Sequence, residues 1–387
     1  MRHAEAFLAG IRRHAATLAE HRAERQRRRA LVPADYRDLQ ALGLHLAAVP
    51  VAYGGTWESP ALSMRTLCDA YRALAGADAS LALAASMHPG VLAQWRDPPP
   101  PEIGAGAWEA QRRAVFATVV EGAWWGTITS EPGSGGDIAN TKAVARRDGD
   151  GWRISGEKHF GSGSGATSYM LTAAVPEGES EPQFFYLDVR DVPWDGSRGM
   201  KLVAEWDGHG MAATNSHGFA FVDFPASRLA WSGCWQSLFD GIGGGGAVMY
   251  TSVVVGVVAA AVRTMRDSLR RRGTPESMRA FEQVEWTAAW REAWLVQQAF
   301  EAALRAFEQR GSAGREVGLA KANIAVLAES VLTRLCRIAG GGAYSRRSPL
   351  GFWLEDVRAL GFLRPPWAVA ADRLLAASWA DDTPGFS

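Results

Sequence analysis

The chain has 387 residues, of which 41 are basic and 41 acidic, so its formal net charge is zero. This balance argues against binding to nucleic acid or to an anionic membrane, because both need a sustained basic surface. Three cysteines stand far apart without a CxxC pair, which excludes a disulfide framework and a cysteine-based zinc site, and we assign no metal ligand. The N-terminus mixes charged and apolar residues and is not a secretory signal, so we expect a soluble, cytoplasmic protein.

The first part of the chain, which we place at residues 1–122, has the apolar spacing of helices. Four segments show this spacing: 4–29, 35–42, 62–74 and 77–94. The run HRAERQRRRA at 21–30 is basic, and we interpret it as the solvated face of a helix.

The middle part, which we place at residues 123–238, changes to an apolar period of two with many turn residues. Six short strands are predicted: 127–130, 142–147, 152–155, 169–174, 184–189 and 218–224. The segment RDGDG at 147–151 is typical of a hairpin turn. Short strands without intervening helices predict a small barrel or sandwich.

The last part, residues 239–387, is again helical. Residues 249–271 are apolar almost all round, but the uninterrupted run is too short to span a membrane and predicts a buried core helix. The next long helix carries Trp286, Trp290 and Trp294 at intervals of four, which indicates an aromatic core or a subunit contact. The predicted fold class is therefore α+β, mostly α: a helical domain, a β-barrel-like domain and a four-helix bundle.

Five segments occur in an order that a known family shares. They are VPVAYGG at 49–55, SEPGSGGD at 130–137, WRISGEK at 152–158, GHGMAATNSH at 208–217 and AGGGAYSRRSPLGFWLEDVR at 339–358. Together they resemble the motifs of the acyl-CoA dehydrogenase superfamily. The resemblance implies the same three-part fold, a flavin cofactor (FAD, with FMN as the alternative) and assembly into a dimer or tetramer.

Several residues match the family's flavin contacts. A flavin ring needs hydrogen-bond donors, an aromatic or apolar cover and close approach of the backbone. Ser130 stands at the family's threonine, and Gly133 and Gly135 let the following turn pass close to a ligand. Phe160 stands where the family has a tryptophan that covers the flavin, and Ser162 where it has a flavin-contacting threonine. The ordinary alternative for Phe160 is a place in the barrel core.

The adenylate end of the cofactor is matched less well. The segment 270–276 has arginines but lacks the phenylalanine of the family's R-x-x-F-G motif. Gly340 and Gly341, in a glycine turn, are the candidate contacts to the adenylate end of FAD, and the resemblance implies that they reach the flavin of a neighbouring subunit.

The catalytic base of the family is not found. Family dehydrogenases remove an α-proton from an acyl thioester with a glutamate that follows the R-D-x-R helix. Here Arg364 stands at that position, and VMYT at 248–251, where a minority of members place the glutamate, has no acid. A guanidinium cannot act as the base, so we expect Arg364 to stabilise negative charge in the site or, as the alternative, to turn outward to a surface carboxylate.

Two segments resemble the flavin monooxygenase branch of the same fold. FGSGSG at 160–165 is similar to that branch's F-x-S-G-S-G, and His88, in SMHPG, stands where a histidine faces the flavin. Such a histidine can hold or move a proton. The alternative interpretation of His88 is a helix-end cap or a core imidazole whose hydrogen bonds are satisfied.

The sequence thus predicts a flavin-dependent oxidoreductase with two open mechanisms. One is dehydrogenation of an acyl thioester or a related small substrate, coupled to an electron-transfer partner, with a base that we do not locate. The other is two-component oxygenation, in which a flavin reductase supplies reduced flavin for reaction with O₂. A non-catalytic flavin-binding protein is a third interpretation, which only the basic run 21–30 supports.

Overall fold

The computed structural model describes residues 2–98 and 101–379. Its helices are α1 (Arg2–Glu20), α2 (Arg22–Arg25), α3 (Pro33–Ala41), α4 (Pro60–Ala75), α5 (Ala79–Arg96), α6 (Ala105–Val120), α7 (Trp235–Ile242), α8 (Gly245–Arg272), α9 (Ala280–Arg310), α10 (Gly314–Ala339), α11 (Pro349–Arg358) and α12 (Trp367–Trp379). Its strands are β1 (Trp125–Thr127), β2 (Val144–Asp148), β3 (Gly151–Gly161), β4 (Tyr169–Pro176), β5 (Gln183–Asp188), β6 (Met200–Ala204) and β7 (His217–Arg228). Helices, then strands, then helices follow one another in the predicted order, which confirms the fold class.

The basic run at the N-terminus does not form a solvated helix face, which corrects our interpretation. The predicted helix over 4–29 is instead divided between α1 and the short α2. Arg25 is buried, and its guanidinium contacts Asp35 at 2.9 Å and Asp78 at 2.6 Å. Asp78 also caps α5 by accepting a hydrogen bond from Leu81 N at 2.8 Å. Ion pairing inside the fold therefore determines where Arg25 lies, whereas Arg27 and Arg29 of the same run are exposed.

The strands close into a barrel. Along the sheet the order is β1-β4-β2-β3-β7-β5, β6 pairs with β7, and an additional pairing of β4 with β5 completes the circle. The hairpin predicted at RDGDG is present, because Asp148 of β2 pairs with Gly151 of β3. β6 was not predicted. The core of the barrel is rich in phenylalanine and contains Phe185, Phe219 and Phe221.

The C-terminal part is built around the buried helix α8, which packs against α4, α5, α9, α10 and α11. Within the described ranges it is the one helix long and apolar enough to cross a membrane, and 72% of its most apolar window is buried in the fold. The helix is therefore buried in the core of the fold, as predicted. The neighbouring helix α9 carries an apolar outer face, on which Trp290 and Trp294 are 59% and 54% exposed.

Candidate active site

A cavity of about 1590 Å³ lies between the three parts of the chain. Its walls come from α5, from the loops of the barrel, from the starts of α8 and α10, and from the segment that joins α11 to α12. The lining residues include four groups: Ser130, Gly135 and Gly136; Phe160 and Ser162; Trp206, Thr214 and Ser216; Tyr250, Lys321 and Arg364. Residues of three of the five family-like segments, 130–137, 208–217 and 339–358, therefore line one cavity, whereas 49–55 and 152–158 do not line it.

Ser130 is held at the cavity wall by the neighbouring strand. It forms an isolated bridge with His159 of β3, whose backbone N–H donates to Ser130 O at 2.8 Å. The following glycines have positive φ angles, +64° at Gly135 and +78° at Gly136, a conformation that glycine adopts without strain. A Cβ atom on Gly136 would lie 2.7 Å from Pro366 Cγ, so this turn contacts the segment that carries Arg364. Gly133, by contrast, does not line the cavity.

The loop after Ser130 is anchored by a buried ion pair. The Glu131 carboxylate accepts hydrogen bonds from the backbone N–H groups of Lys142 at 2.6 Å and Ala143 at 3.2 Å, and it contacts Lys158 Nζ. Lys158 is fully buried, and burial lowers the pKa of its ammonium group while Glu131 opposes that shift. The glutamate and the lysine of two family-like motifs thus meet beneath the loop that follows Ser130.

Phe160 projects from an irregular point of its strand. The pairing of β3 with β7 shifts register between Lys158 and Gly161, and Phe160 in this bulge has φ +60°. A bulge re-aims a side chain, and the Phe160 ring is 57% exposed and lines the cavity beside Trp206, with 6.1 Å between ring centroids. This excludes a place for Phe160 in the barrel core.

Ser162 opens a short chain of buried hydroxyl groups. Its Oγ lies 2.8 Å from Ser216 Oγ, and Ser216 Oγ lies 2.7 Å from Thr214 Oγ1. Thr214 also donates to Met211 O at 2.9 Å. All three hydroxyl side chains line the cavity, so the chain presents a fixed polar strip on a mostly apolar wall.

Arg364 points into the cavity wall and not to a surface carboxylate. Its Nη1 donates to Gly136 O at 2.6 Å and its Nη2 donates to Ser130 Oγ at 3.0 Å. Burial lowers the pKa of this guanidinium, which nevertheless keeps its charge. The positive charge of Arg364 therefore lies within hydrogen-bonding distance of the Ser130 hydroxyl group, which is predicted to contact the flavin.

His88 has the contacts of a structural imidazole. It is buried, its Nε2 lies 3.0 Å from His45 O, and its Nδ1 accepts from Trp125 N at 2.9 Å. Burial lowers its pKa to about 3, so the ring is neutral near pH 7. His88 thus joins α5 to β1. It does not line the cavity, so we do not propose it as a catalytic group.

Gly340 and Gly341 lie away from the cavity of their own chain. The turn that contains them, Gly340–Tyr344, is exposed except for Ala343, and Tyr344 is 99% exposed. Among the described residues, apart from the chain neighbours and the local helix backbone, no atom lies within 4 Å of a Cβ atom built at Gly340 or Gly341. The turn therefore does not contribute to the wall of this cavity.

Sequence reasoning missed two residues of the wall, Tyr250 and Lys321. Tyr250 of α8 donates its hydroxyl to Arg364 O, and Lys321 of α10 donates to Pro365 O at 2.8 Å. The sequence did contain an indication for Lys321. It is spaced four residues after Val317 and three before Ile324, which places it on the buried face of α10.

The carboxylates at the cavity are few and mostly engaged. Within the described ranges, Glu131, Asp137, Asp240 and Glu355 line it. Glu131 is paired with Lys158, Glu355 lies 3.0 Å from Arg358, and Asp137 accepts from Ala139 N at 3.1 Å. Asp240 is exposed. The wall around Ser130 therefore carries cations and hydroxyl groups where the family's base is expected.

Two family models match this chain. The N-terminal domain of acyl-CoA dehydrogenase matches residues 2–122, and the middle domain matches residues 126–224. Together they match more than half of the chain, which belongs to the acyl-CoA dehydrogenase superfamily of flavin-dependent oxidoreductases. The predicted family is thus confirmed.

Similar proteins fall on both branches of this superfamily. YdbM of Bacillus subtilis (strain 168), provisionally named an acyl-CoA dehydrogenase, is 26% identical over 88% of this chain and 87% of its own length. A dibenzothiophene monooxygenase of Rhodococcus erythropolis is 28% identical over 50% of this chain and 43% of that enzyme. The crystal structure of KijD3 with FMN and dTDP-3-amino-2,3,6-trideoxy-4-keto-3-methyl-D-glucose superposes with a TM-score of 0.80 at 24% identity, covering 97% of this chain and 93% of that one.

Proposed function

We propose that this protein is a flavin-dependent monooxygenase that receives reduced flavin from a separate reductase. The observation that carries the proposal is Arg364, which lies on Ser130 at the position of the family's catalytic glutamate. Removal of an α-proton needs a base beside the flavin, and a guanidinium does not accept a proton. The segment 248–251 near the start of α8, where a minority of members place the glutamate, has no acid either.

The wall of the cavity fits a flavin. The exposed ring of Phe160 offers a cover, the hydroxyl strip at Ser162 offers hydrogen bonds, and the turn at Gly135 allows close approach of the backbone. We assign FAD as the cofactor, with FMN as the alternative, and KijD3 was crystallised with FMN. When bound, reduced flavin supplies the two electrons with which O₂ gives one oxygen atom to the substrate and one to water.

The residues of this chain would orient the ring and stabilise charge. Arg364 donates to Ser130 Oγ, so the hydroxyl hydrogen of Ser130 remains available for an acceptor on the ring. The positive charge of Arg364 stabilises negative charge that develops beside it. The apolar remainder of the wall, to which Leu83, Val91 and Phe184 contribute, excludes water from the reaction.

The decisive test follows the spectrum of the bound flavin. The protein is loaded with FAD or FMN, photoreduced without oxygen and then mixed with O₂ in a stopped-flow instrument. We expect a transient spectrum that belongs neither to the reduced nor to the oxidised flavin. Direct conversion of reduced to oxidised flavin, without such a transient, would count against oxygenation.

Dehydrogenation is the second candidate, because the alignment with YdbM extends over most of the chain. The assay uses saturated acyl-CoAs of several chain lengths with an artificial electron acceptor. We expect little or no turnover from the wild type and a trace from Arg364→Glu, which restores a carboxylate at the family's position. Wild-type turnover above about 1 s⁻¹, as ordinary enzymes show, would establish dehydrogenation instead.

We also infer a homo-oligomer, as a dimer or tetramer. The exposed aromatic face of α9 at Trp290 and Trp294 supports it, as does the exposed turn at Gly340 and Gly341. In such an assembly the glycine turn would reach the adenylate end of a neighbour's flavin.

A further inference from the structure

Two basic side chains in one wall of the cavity, Arg364 and Lys321, have no ion-pair partner among the residues that the structure describes. Within residues 2–98 and 101–379, no carboxylate lies within 4.0 Å of Arg364 or Lys321. Arg364 donates to two neutral oxygens, Gly136 O and Ser130 Oγ, and Lys321 donates to a third, Pro365 O. Among the described residues, the other buried lysines and arginines each have at least one carboxylate contact: Arg25, Arg96 and Lys158.

The two cations are part of one structural unit. Lys321 Nζ bonds the carbonyl of Pro365, and Tyr250 Oη bonds the carbonyl of the preceding residue, Arg364. Helices α8 and α10 thus hold the segment that directs the Arg364 guanidinium to Ser130. An ammonium group has three N–H donors, and the bond to Pro365 O occupies one of them, which leaves the others for a ligand in the cavity.

An uncompensated charge in a protein interior is costly unless an opposite charge or hydrogen bonds satisfy it. Arginine does not escape this cost by losing its proton. The nearest acids offset it only in part: Asp137 and Glu131 raise the pKa of Arg364 without contacting it, and Glu131 is already paired with Lys158. An anionic group on a ligand would supply the missing charge.

We propose that the cavity takes an organic anion, whose carboxylate or phosphate group lies against Lys321 and Arg364 while its apolar part lies along the remaining wall. This inference rests on the proposed function only in treating that anion as the substrate of the same site. Lys321 is then a substrate-binding residue that determines specificity, and Tyr250 is a positioning residue that acts through the backbone of Arg364.

The test measures binding by calorimetry to the flavin-free protein, with indole-3-acetate and its uncharged analogue indole-3-acetamide at pH 7. We expect Lys321→Met to weaken binding of the acetate at least about tenfold, as for loss of one partner of a buried charge pair, and to leave the amide unchanged. Lys321→Arg should keep the preference for the acetate. Lys201→Met, which removes an exposed lysine on β6, is the matched control and should bind both as the wild type does.

A pH series on the wild type needs no variant that might misfold. Burial lowers the pKa of Lys321 to about 8, so its charge is present at pH 7 and lost as the pH rises to about 9.5. Among the groups that line the same cavity, Tyr250 has a pKa raised by burial. Arg364, between α11 and α12, and Arg373 on α12 keep their charges over this range. Affinity for the acetate should therefore fall over this range and affinity for the amide should not.

Three results would overturn the inference. The acetate and the amide could bind equally, or Lys321→Met could leave the acetate unaffected. Alternatively, Lys321→Met could weaken FMN but not riboflavin, which would assign the anion to the flavin phosphate and not to a substrate. The acetate and amide measurements use neither flavin nor O₂. A negative result in them therefore does not affect the test of oxygenation, and a negative result in that test does not affect the proposed anion site.

Discussion

Ser130 combines two hydrogen-bonding roles in one hydroxyl group. It accepts from Arg364 Nη2 at 3.0 Å, and its own hydrogen remains available to an acceptor on a bound ligand. In Ser130→Ala, we expect flavin to bind about fivefold more weakly, since one net hydrogen bond contributes about 1 kcal/mol. Fluorescence titration with FAD or FMN measures the change.

The conservative variant separates the hydroxyl from general damage to the loop. Ser130→Thr keeps the hydroxyl and restores the family's residue, so it should bind flavin as the wild type does. Equal loss of affinity in both variants would show that the loop, and not the hydroxyl, is what matters.

Phe160 keeps a strained backbone at φ +60°, which bulky residues rarely adopt. Asparagine tolerates this conformation better, so we expect Phe160→Asn to raise the free energy of unfolding by up to about 1 kcal/mol while flavin binding weakens. Urea unfolding and flavin titration measure the two effects. Phe160→Ala removes the ring without the same relief of strain and should weaken flavin binding without stabilising the protein.

At the scale of elements, helix α11 is joined to the barrel by a single buried carboxylate. Asp356 accepts a hydrogen bond from Met211 N at 2.7 Å. Burial, with Asp78 and Glu355 nearby, raises the pKa of Asp356 to about 7. The bond thus crosses from the C-terminal helices to the loop before β7, beside the cavity.

This raised pKa gives a pH dependence with a definite sign. The unfolded chain loses the Asp356 proton near the ordinary value of about 4, whereas the folded protein keeps it to about pH 7. The stabilising contribution of the protonated form is therefore complete below pH 4 and is lost as the pH rises to 7. Asp356→Asn keeps an oxygen acceptor and removes the ionisation, so it should nearly equal the wild type at pH 4 and exceed its stability at pH 8 by up to about 4 kcal/mol. Urea unfolding at the two pH values checks this, and equal stability at pH 8 would contradict it.

The order of the elements was predictable because it depends on local periodicity. Helical spacing and alternation identify helices and strands, and RDGDG gave the β2–β3 hairpin at the correct residues. The contacts that decide individual roles are not local. The bulge at Phe160 depends on pairing with β7, and the neutral, structural state of His88 depends on His45 and Trp125 from other elements. The motifs therefore identified the segments that form the site but could not show which of their side chains face the cavity.

At the scale of the whole molecule, the exposed aromatic face of α9 leads to a prediction about assembly. We expect the combined variant Trp290→Glu and Trp294→Glu to reduce the oligomer measured by light scattering. Loss of the neighbour's glycine turn should then weaken flavin retention at least about tenfold. Val222→Glu, at a 65% exposed position of β7, is the control. A true monomer with unchanged flavin affinity would contradict the role of Gly340 and Gly341.

The cavity is enclosed by all three parts of the chain, and this makes the melting temperature an indicator of occupancy. A compound that fills the cavity binds only the folded arrangement, so it stabilises the whole molecule by about 2.7 kcal/mol at a concentration of 100 times its Kd. A thermal-shift screen of small acids can therefore rank candidate substrates before any turnover is measured. Compounds that raise the melting temperature of the wild type but not of Lys321→Met would be the first to assay with reduced flavin and O₂.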